Sequence, residues 1–308
     1  MTRVLVTGAA GFIGSNLALE LCRSGREVVA LDDFTSGNFA NLQEFPGDFV
    51  AADLADAAAW GDRVGEVDTV FHQAAITDTT VHDQKLMLRS NVEAFRILLR
   101  WAAERGVKTV VYASSAGTYG DGPLPMREDA ATRPLNVYAF SKRVMEKVAA
   151  DFHAEHPKMR IAGLRYFNVF GPRERFKGAA ASMIWQLALQ MRAGKRPRVF
   201  EFGEQYRDHI YVKDVVQANL LAAATAPFGV YTVCTGAKTD FNEIIRCLNA
   251  TLGTKLEAEY FKNPYGFYQN ETLGDPKLAF KSFGFKSAFS VEKGIQDYLG
   301  AKEAFAKV

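Results

Sequence analysis

Three features of the sequence predict an α/β fold built on a doubly wound parallel sheet. Short β-branched runs alternate with longer amphipathic stretches through the first half of the chain. A glycine-rich segment, VTGAAGFIG at residues 6–14, stands between the first such run and the first amphipathic stretch. The stretches between runs are long enough for crossover helices joining parallel strands. Residues 3–6 read as the first strand and 14–23 as its helix; residues 27–31 are the second strand and 49–51 the third. The series continues at residues 69–72, 109–112 and 161–164, with amphipathic helices over 91–104 and 138–152. After about residue 165 the alternation becomes irregular and richer in aromatics, with 179–192 the clearest helix. We therefore divide the chain into residues 1–165, the larger lobe, and 166–308, a smaller interlocked α/β lobe. A cleft between them is the expected ligand site.

Bulk properties narrow the function classes. With 308 residues the chain can bury a large core. Its 48% hydrophobic and 23% charged content is that of an ordinary globular protein, not of a disordered one. A net charge of +2 and the lack of a basic run argue against nucleic acid as the main partner. Cys22, Cys234 and Cys247 are an odd number with no CxxC pair, which fits free thiols in small core positions and a reducing cytoplasm. No secretory segment is read at the start, and no apolar run reaches the roughly 18 residues of a membrane span. The five histidines show no metal-ligand spacing, so no metal site is expected.

Gly8, Gly11 and Gly14 are spaced GxxGxxG, directly after a strand and directly before a helix. That context suits the pyrophosphate of a dinucleotide: a tight turn, close backbone approach and close helix-on-strand packing. The sheet is accordingly of the Rossmann type. The second strand ends in Leu31-Asp32-Asp33, roughly 20 residues beyond the glycines, where an acid accepts hydrogen bonds from the adenosine ribose. Two acids there repel a 2′-phosphate, which favours NAD over NADP. Asp53 and Leu54, after the third strand, are placed to meet the adenine; a helix N-cap is the other reading of Asp53.

A phenol and an ammonium four residues apart, Tyr138 and Lys142, share one face of the helix that follows the fifth strand. Ser115 follows that strand, at the carboxyl edge of the sheet where a nicotinamide would lie. An ammonium beside a phenol is expected to stabilise the phenolate, making Tyr138 a base for a substrate hydroxyl. Lys142 is also expected to bind the nicotinamide ribose, and Ser115 to hold the substrate oxygen. An exposed tyrosine with a solvated lysine neighbour is the alternative.

These residues resemble the extended short-chain dehydrogenase/reductase family of nucleotide-sugar enzymes over nearly the whole chain. The likeness includes YASSAGTYG at 112–120, LNVYAFSK at 135–142 and RDHIYVKDV at 207–215, and Asn91 matches the asparagine on the helix behind the active site. RYFNVFGPRERFKGAAASM at 165–183, VFEFGEQYRD at 199–208 and YQNET at 268–272 are similar, more narrowly, to the ADP-glyceromanno-heptose 6-epimerases. The resemblance implies NAD- or NADP-dependent oxidation of the sugar C6″ hydroxyl and re-reduction on the other face, for the inner core of lipopolysaccharide. It implies two acid/base groups, Tyr138 and Lys177. It also implies a tightly held cofactor contacted by Gly8, Gly11, Phe12, Ile13, Gly14, Asp32, Asp33, Asp53, Leu54, Gln73, Ala74, Ala75, Thr77, Asn91, Lys142, Val169 and Lys177. Around the nucleotide-sugar it places Asn168, Ala179, Gln186, Phe200, Glu201, Phe202, Gly203, Arg207 and Tyr268, with Arg207 as diphosphate clamp. For Arg207 an ion pair with Asp208 is the other reading, and for Tyr268 a packing role. A homo-oligomer is implied as well.

The chain departs from the family pattern in places. Residues 35–38 lack the basic side chain that meets an NADP 2′-phosphate in known members. Ala179 replaces a serine and Gln186 a histidine, leaving a related nucleotide-sugar open as substrate. A 4,6-dehydratase is disfavoured because Ala116 and Gly117 stand where its acid pair falls. A UDP-glucose 4-epimerase-like enzyme is the main alternative, and a non-catalytic dinucleotide sensor a remote one.

Overall fold

The structure, a computed structural model, describes residues 3–262, 271–300 and 305. The larger lobe runs β1 (Arg3–Thr7), α1 (Phe12–Arg23), β2 (Glu27–Asp32), β3 (Asp48–Ala51), α2 (Ala57–Val64), β4 (Thr69–His72), α3 (Gln84–Leu88), α4 (Ala94–Glu104), β5 (Thr109–Ser115), α5 (Val137–Glu155) and β6 (Arg160–Tyr166). There follow β7 (Asn168–Phe170), α6 (Met183–Arg192), β8 (Arg198–Phe200), β9 (Tyr206–Arg207), β10 (His209–Tyr211), α7 (Val212–Thr225), β11 (Gly229–Val233), β12 (Thr239–Asp240), α8 (Phe241–Leu252), β13 (Glu259–Phe261), α9 (Lys277–Phe283) and α10 (Val291–Leu299).

Seven parallel strands form the central sheet in the order β11-β6-β5-β4-β1-β2-β3. Helices cover both faces, which is why these strands are apolar at nearly every position rather than at alternate ones. In β1 the alternation sorts neighbours: Val4 and Val6 join α1 and α7 in one core, and Leu5 joins α2 and α4 in the other. The chain reverses direction of travel across the sheet at β1, between β2 and β4. Ligands of such sheets bind at the carboxyl ends of the strands at that reversal. A third core, with Ile184, Leu187, Phe241, Leu248 and Ile295, packs α6, α8 and α10 together beyond the sheet.

Several elements differ from the sequence expectation. Helix α1 begins at Phe12, two residues early, because Gly11 is already its N-cap. Strand β5 extends to Ser115, so this serine ends the strand instead of following it. The helix expected over 91–104 starts at α3 and passes through a π-helical turn, Arg89–Glu93, that contains Asn91. The helix expected over 179–192 is shorter: a 3₁₀ segment, Glu174–Ala180, ends first, and Ser182 caps α6 through a bond from Trp185 N. Strand β11, far along the chain, completes the sheet beside β6 and was not expected there.

Candidate active site

The glycine turn is fixed by backbone packing. A Cβ on Gly8 (φ +66°) would lie 2.5 Å from Ala74 N, and one on Gly14 would lie 2.0 Å from Gly8 O. Strand β4, the turn and α1 thus approach too closely for any side chain. Gly11 is different: a Cβ there would meet only Gly8 O, at 3.1 Å, so its side faces the cleft. As N-cap it offers no side-chain bond, and the first turn of α1 presents its N–H groups uncapped, as an anion site does. This cradle fits a dinucleotide pyrophosphate, with Phe12 and Ile13 supplying N–H groups.

Asp32 ends β2 and is nearly buried. Its Oδ2 accepts from Ala10 N at 2.9 Å and its Oδ1 from Phe34 N at 2.8 Å, while burial raises its pKa. A carboxylate with spare lone pairs at this point fits a ribose diol. Asp33 is exposed and closes a turn onto Thr35 N. Asp53 does not cap α2, whose N-cap is Asp56; it accepts from Ala55 N and pairs with Arg89 at 2.7 Å. Leu54 beside it is buried.

The loop after β4 brings Ala74, Ala75 and Thr77 to the same edge of the sheet. Two neighbours expected to touch cofactor, Asn91 and Gln73, also hold the loop to the rest of the protein. Asn91 is fully buried, and its amide is engaged by Ile76 N and O and by Ser141 Oγ. It pins the loop to α5. Gln73 is tied by its side chain to Asn219 and Tyr166, at 3.1 Å each, which leaves its backbone as the part turned to the loop.

Ser115 and Tyr138 share a hydrogen bond, and Ser115 Oγ also accepts from Gly117 N at 3.1 Å. Asn136 caps α5 by accepting from Ala139 N, which fixes the start of the helix and with it the position of Tyr138. Lys142 is buried, donates to Ala113 O at 2.7 Å, and holds Nζ 5.9 Å from the centre of the Tyr138 ring. The expected phenolate is not what this geometry favours. Burial raises the Tyr138 pKa, with the Ser115 bond opposing, and burial lowers Lys142 to about 7 against the pull of Glu146. Desolvation decides both shifts, Lys142 being buried and Tyr138 half-buried beside it.

Lys177 comes to the same edge from the 3₁₀ segment that follows β7. Its Nζ lies 5.7 Å over the ring of Phe12, at the start of α1, and burial lowers its pKa while Glu174 raises it. Glu174 is fully buried and ties the segment together, accepting from Gly171 N, Ser182 N and Ser182 Oγ. Val169 packs between the first and third cores.

Of the expected sugar contacts, Asn168 is joined to Asp208 O and Thr272 Oγ1, both at 3.0 Å. Gln186 holds the carbonyls of Ala179 and Ala181, so this residue shapes the loop that carries exposed Ala179. Phe200, Glu201, Phe202 and Gly203 form a turn that Asn242 anchors by donating to Phe202 O; Phe202 is 69% exposed. Arg207 does not draw on Asp208, whose carboxylate collects Thr235 N and Oγ1, Gly236 N and Gly274 N. Tyr268 lies outside the described residues. The sequence reading missed Glu146 and Arg165, a buried ion pair below Lys142. The step of four residues from Tyr138 to Lys142 to Glu146 was the available signal.

Among the described residues no cluster of His, Cys, Asp or Glu is suited to a metal, and no helix is long and apolar enough to cross a membrane. A model of the NAD dependent epimerase/dehydratase family matches residues 4–234. The chain belongs to this family. The cofactor of this family is an NAD-type dinucleotide, and the glycine cradle and Asp32 fit one. A curated relative, ADP-L-glycero-D-manno-heptose-6-epimerase of Alkalilimnicola ehrlichii, is 36% identical over 97% of each chain. The solved ADP-L-glycero-D-manno-heptose-6-epimerase of Helicobacter pylori superposes with a TM-score of 0.89 at 39% identity, covering 97% of this chain and 95% of its own. UDP-glucose 4-epimerase of Thermus thermophilus, solved in complex with NAD, gives a TM-score of 0.86 at 28% identity, over 97% and 98%.

Proposed function

We propose that this epimerase-family protein inverts C6″ of ADP-D-glycero-β-D-manno-heptose, giving the L-glycero epimer for lipopolysaccharide inner-core synthesis. One observation carries the reading: Tyr138 beside Ser115 and Lys177 over Phe12 bring two proton-handling groups to one sheet edge from two lobes. The bound dinucleotide supplies reversible oxidation of the carbinol carbon, so the overall reaction is redox-neutral. Ser115 and Tyr138 address the substrate oxygen in one orientation. Burial keeps Tyr138 a phenol, the form that gives a proton to a ketone oxygen. Lys177, drawn below the ordinary lysine value, takes the carbinol proton as the free amine while hydride leaves, and Tyr138 gives its proton to the ketone oxygen after the sugar has turned over; exchange with solvent restores both. Lys142, fixed on Ala113 O, supports Tyr138 and binds the nicotinamide ribose.

The acids Asp32 and Asp33, with no basic residue at 35–38, favour NAD over NADP. Residues 1–165 serve mainly the dinucleotide and 166–308 the nucleotide-sugar, with Asn168, the 200–203 turn, Arg207 and Tyr268 about the latter. The working form is a cytoplasmic homo-oligomer. A 4-epimerase reading leaves Lys177 without a task, since one tyrosine serves both faces when the ketone rotates freely.

The test is NMR of ADP-D-glycero-β-D-manno-heptose with pure protein and no added cofactor. Appearance of the L-glycero epimer is the expected result, and the co-purified dinucleotide identifies NAD or NADP. No conversion after NAD and NADP are added in turn would reject the heptose substrate.

A further inference from the structure

Tyr138, Lys142 and Glu146 follow one another at four-residue steps on α5, a single stripe along one face of the helix. Glu146 is 5% exposed and its carboxylate is saturated. Oε1 accepts from Ser114 Oγ at 2.7 Å and from Arg165 Nε at 2.8 Å, and Oε2 from Arg165 Nη2 at 2.8 Å. Arg165, also 5% exposed, lies 4.5 Å over the Tyr119 ring, whose hydroxyl meets Thr232 Oγ1 on β11. An ion pair this deep is poor value as a fold stabiliser, because well-packed apolar residues of similar volume do as well or better. One turn along the stripe, however, is a group that needs a charge nearby. Lys142 is 1% exposed, with the neutral Ala113 carbonyl as its acceptor.

We infer that Glu146 and Arg165 are a positioning pair for Lys142: Glu146 keeps the buried ammonium charged and directed at the cleft, and Arg165 fixes Glu146. This rests on the ribose-binding role of Lys142 proposed above. The groups facing Lys142 are Tyr138 and Glu146 on α5 and His72 on β4; Tyr112 on β5 and Arg165 on β6 gather about Glu146, and Tyr119, after β5, lies against Arg165. Arg143, next along α5, is turned to Thr132. Burial, aided by the Lys142 charge, lowers His72 to about 3, and burial raises Tyr112, Tyr119 and Tyr138, so all four are neutral near pH 7. Glu146 is the anion of the set. It opposes the burial that draws Lys142 to about 7. The ammonium, not the amine, has the donors that a ribose hydroxyl pair and Ala113 O need together.

The experiment measures NAD affinity of the full chain by calorimetry across pH, in wild type, Glu146→Gln, the pair Glu146→Leu/Arg165→Met, and Lys142→Met. In wild type the affinity falls as pH rises through the Lys142 titration. Without Glu146 the midpoint moves down by about one pH unit, so affinity above it drops about tenfold and below it is unchanged. The paired variant shows the same shift while keeping its thermal stability, which a structural role alone does not produce; it also stands in for Glu146→Gln if an unpaired Arg165 prevents folding. A wild-type midpoint in the variants, with the pH dependence abolished in Lys142→Met, overturns the positioning role alone. No pH dependence in wild type and no loss in Lys142→Met overturns the role of Lys142 itself, and the inference with it.

Discussion

Tyr138 and Lys177, the two side chains proposed to handle protons, are held in contrasting ways. Tyr138 stands at the start of a 19-residue helix with a side-chain cap, and Lys142 is fastened one turn later to the neighbouring strand. Lys177 stands in a seven-residue 3₁₀ segment broken at Gly178, whose φ is +55°, and the three residues after it are exposed. One buried carboxylate, Glu174, does for that segment what an entire helix does for Tyr138. Redox epimerisation needs this asymmetry. One wall must fix the carbinol at the nicotinamide, and the other must admit a sugar that turns over.

Four experiments would break or sharpen the contrast. Tyr138→Phe is expected to lower kcat about a thousandfold with NAD binding and thermal stability intact. Residual turnover within about tenfold of wild type would remove the fixed wall from the chemistry. Lys177→Met is expected to lower C6″ epimerisation about a hundredfold, followed by the same NMR assay. A loss under about threefold would mean that Tyr138 serves both faces and that the second wall only shapes the pocket.

Gly14→Ala sharpens the comparison on the rigid side. Its Cβ meets backbone at 2.0 Å with no flexible side chain to give way, so urea unfolding should show a loss of about 1–3 kcal/mol, with weaker NAD binding. Wild-type stability would show that β1 and α1 can separate. On the other side, Glu174 is raised by burial from 4.5 to about 6. Its folded pKa exceeds the unfolded one, so its contribution is full below about pH 4.5 and is lost as pH rises through about 6. Comparing the stability-against-pH curves of wild type and Glu174→Gln should reveal a component of about 2 kcal/mol in that window. Parallel curves would mean that the carboxylate is not desolvated as its burial implies.

The Tyr138 side was more legible in the sequence than the Lys177 side, for a physical reason. Gly8, Gly11 and Gly14, and the step from Tyr138 to Lys142, are local patterns within one turn or one helix, and β4 matches its expected bounds at both ends. Lys177 carries no local signal of its own; it was marked by resemblance, and its approach to Phe12 depends on two segments distant in sequence. The same distance hid β11, since the run GVYTV acquires meaning only beside β6. Signs of pKa shifts were also illegible. An ammonium four residues away suggested a phenolate, whereas burial from surrounding elements decides for the phenol. The hydrogen bonds by which Asn91 and Gln73 hold the loop and α7 were likewise out of reach of the sequence, because their partners are distant in it.

The last strand of the sheet has a consequence for how the chain is born. Residues 167–228 separate β6 from β11, so a nascent chain that has just finished β6 presents an open strand edge. That edge is a template for a neighbouring chain on the same polysome. Closing it waits for nearly half of the second lobe to emerge, and truncation before Gly229 would leave a sticky product rather than a smaller working domain.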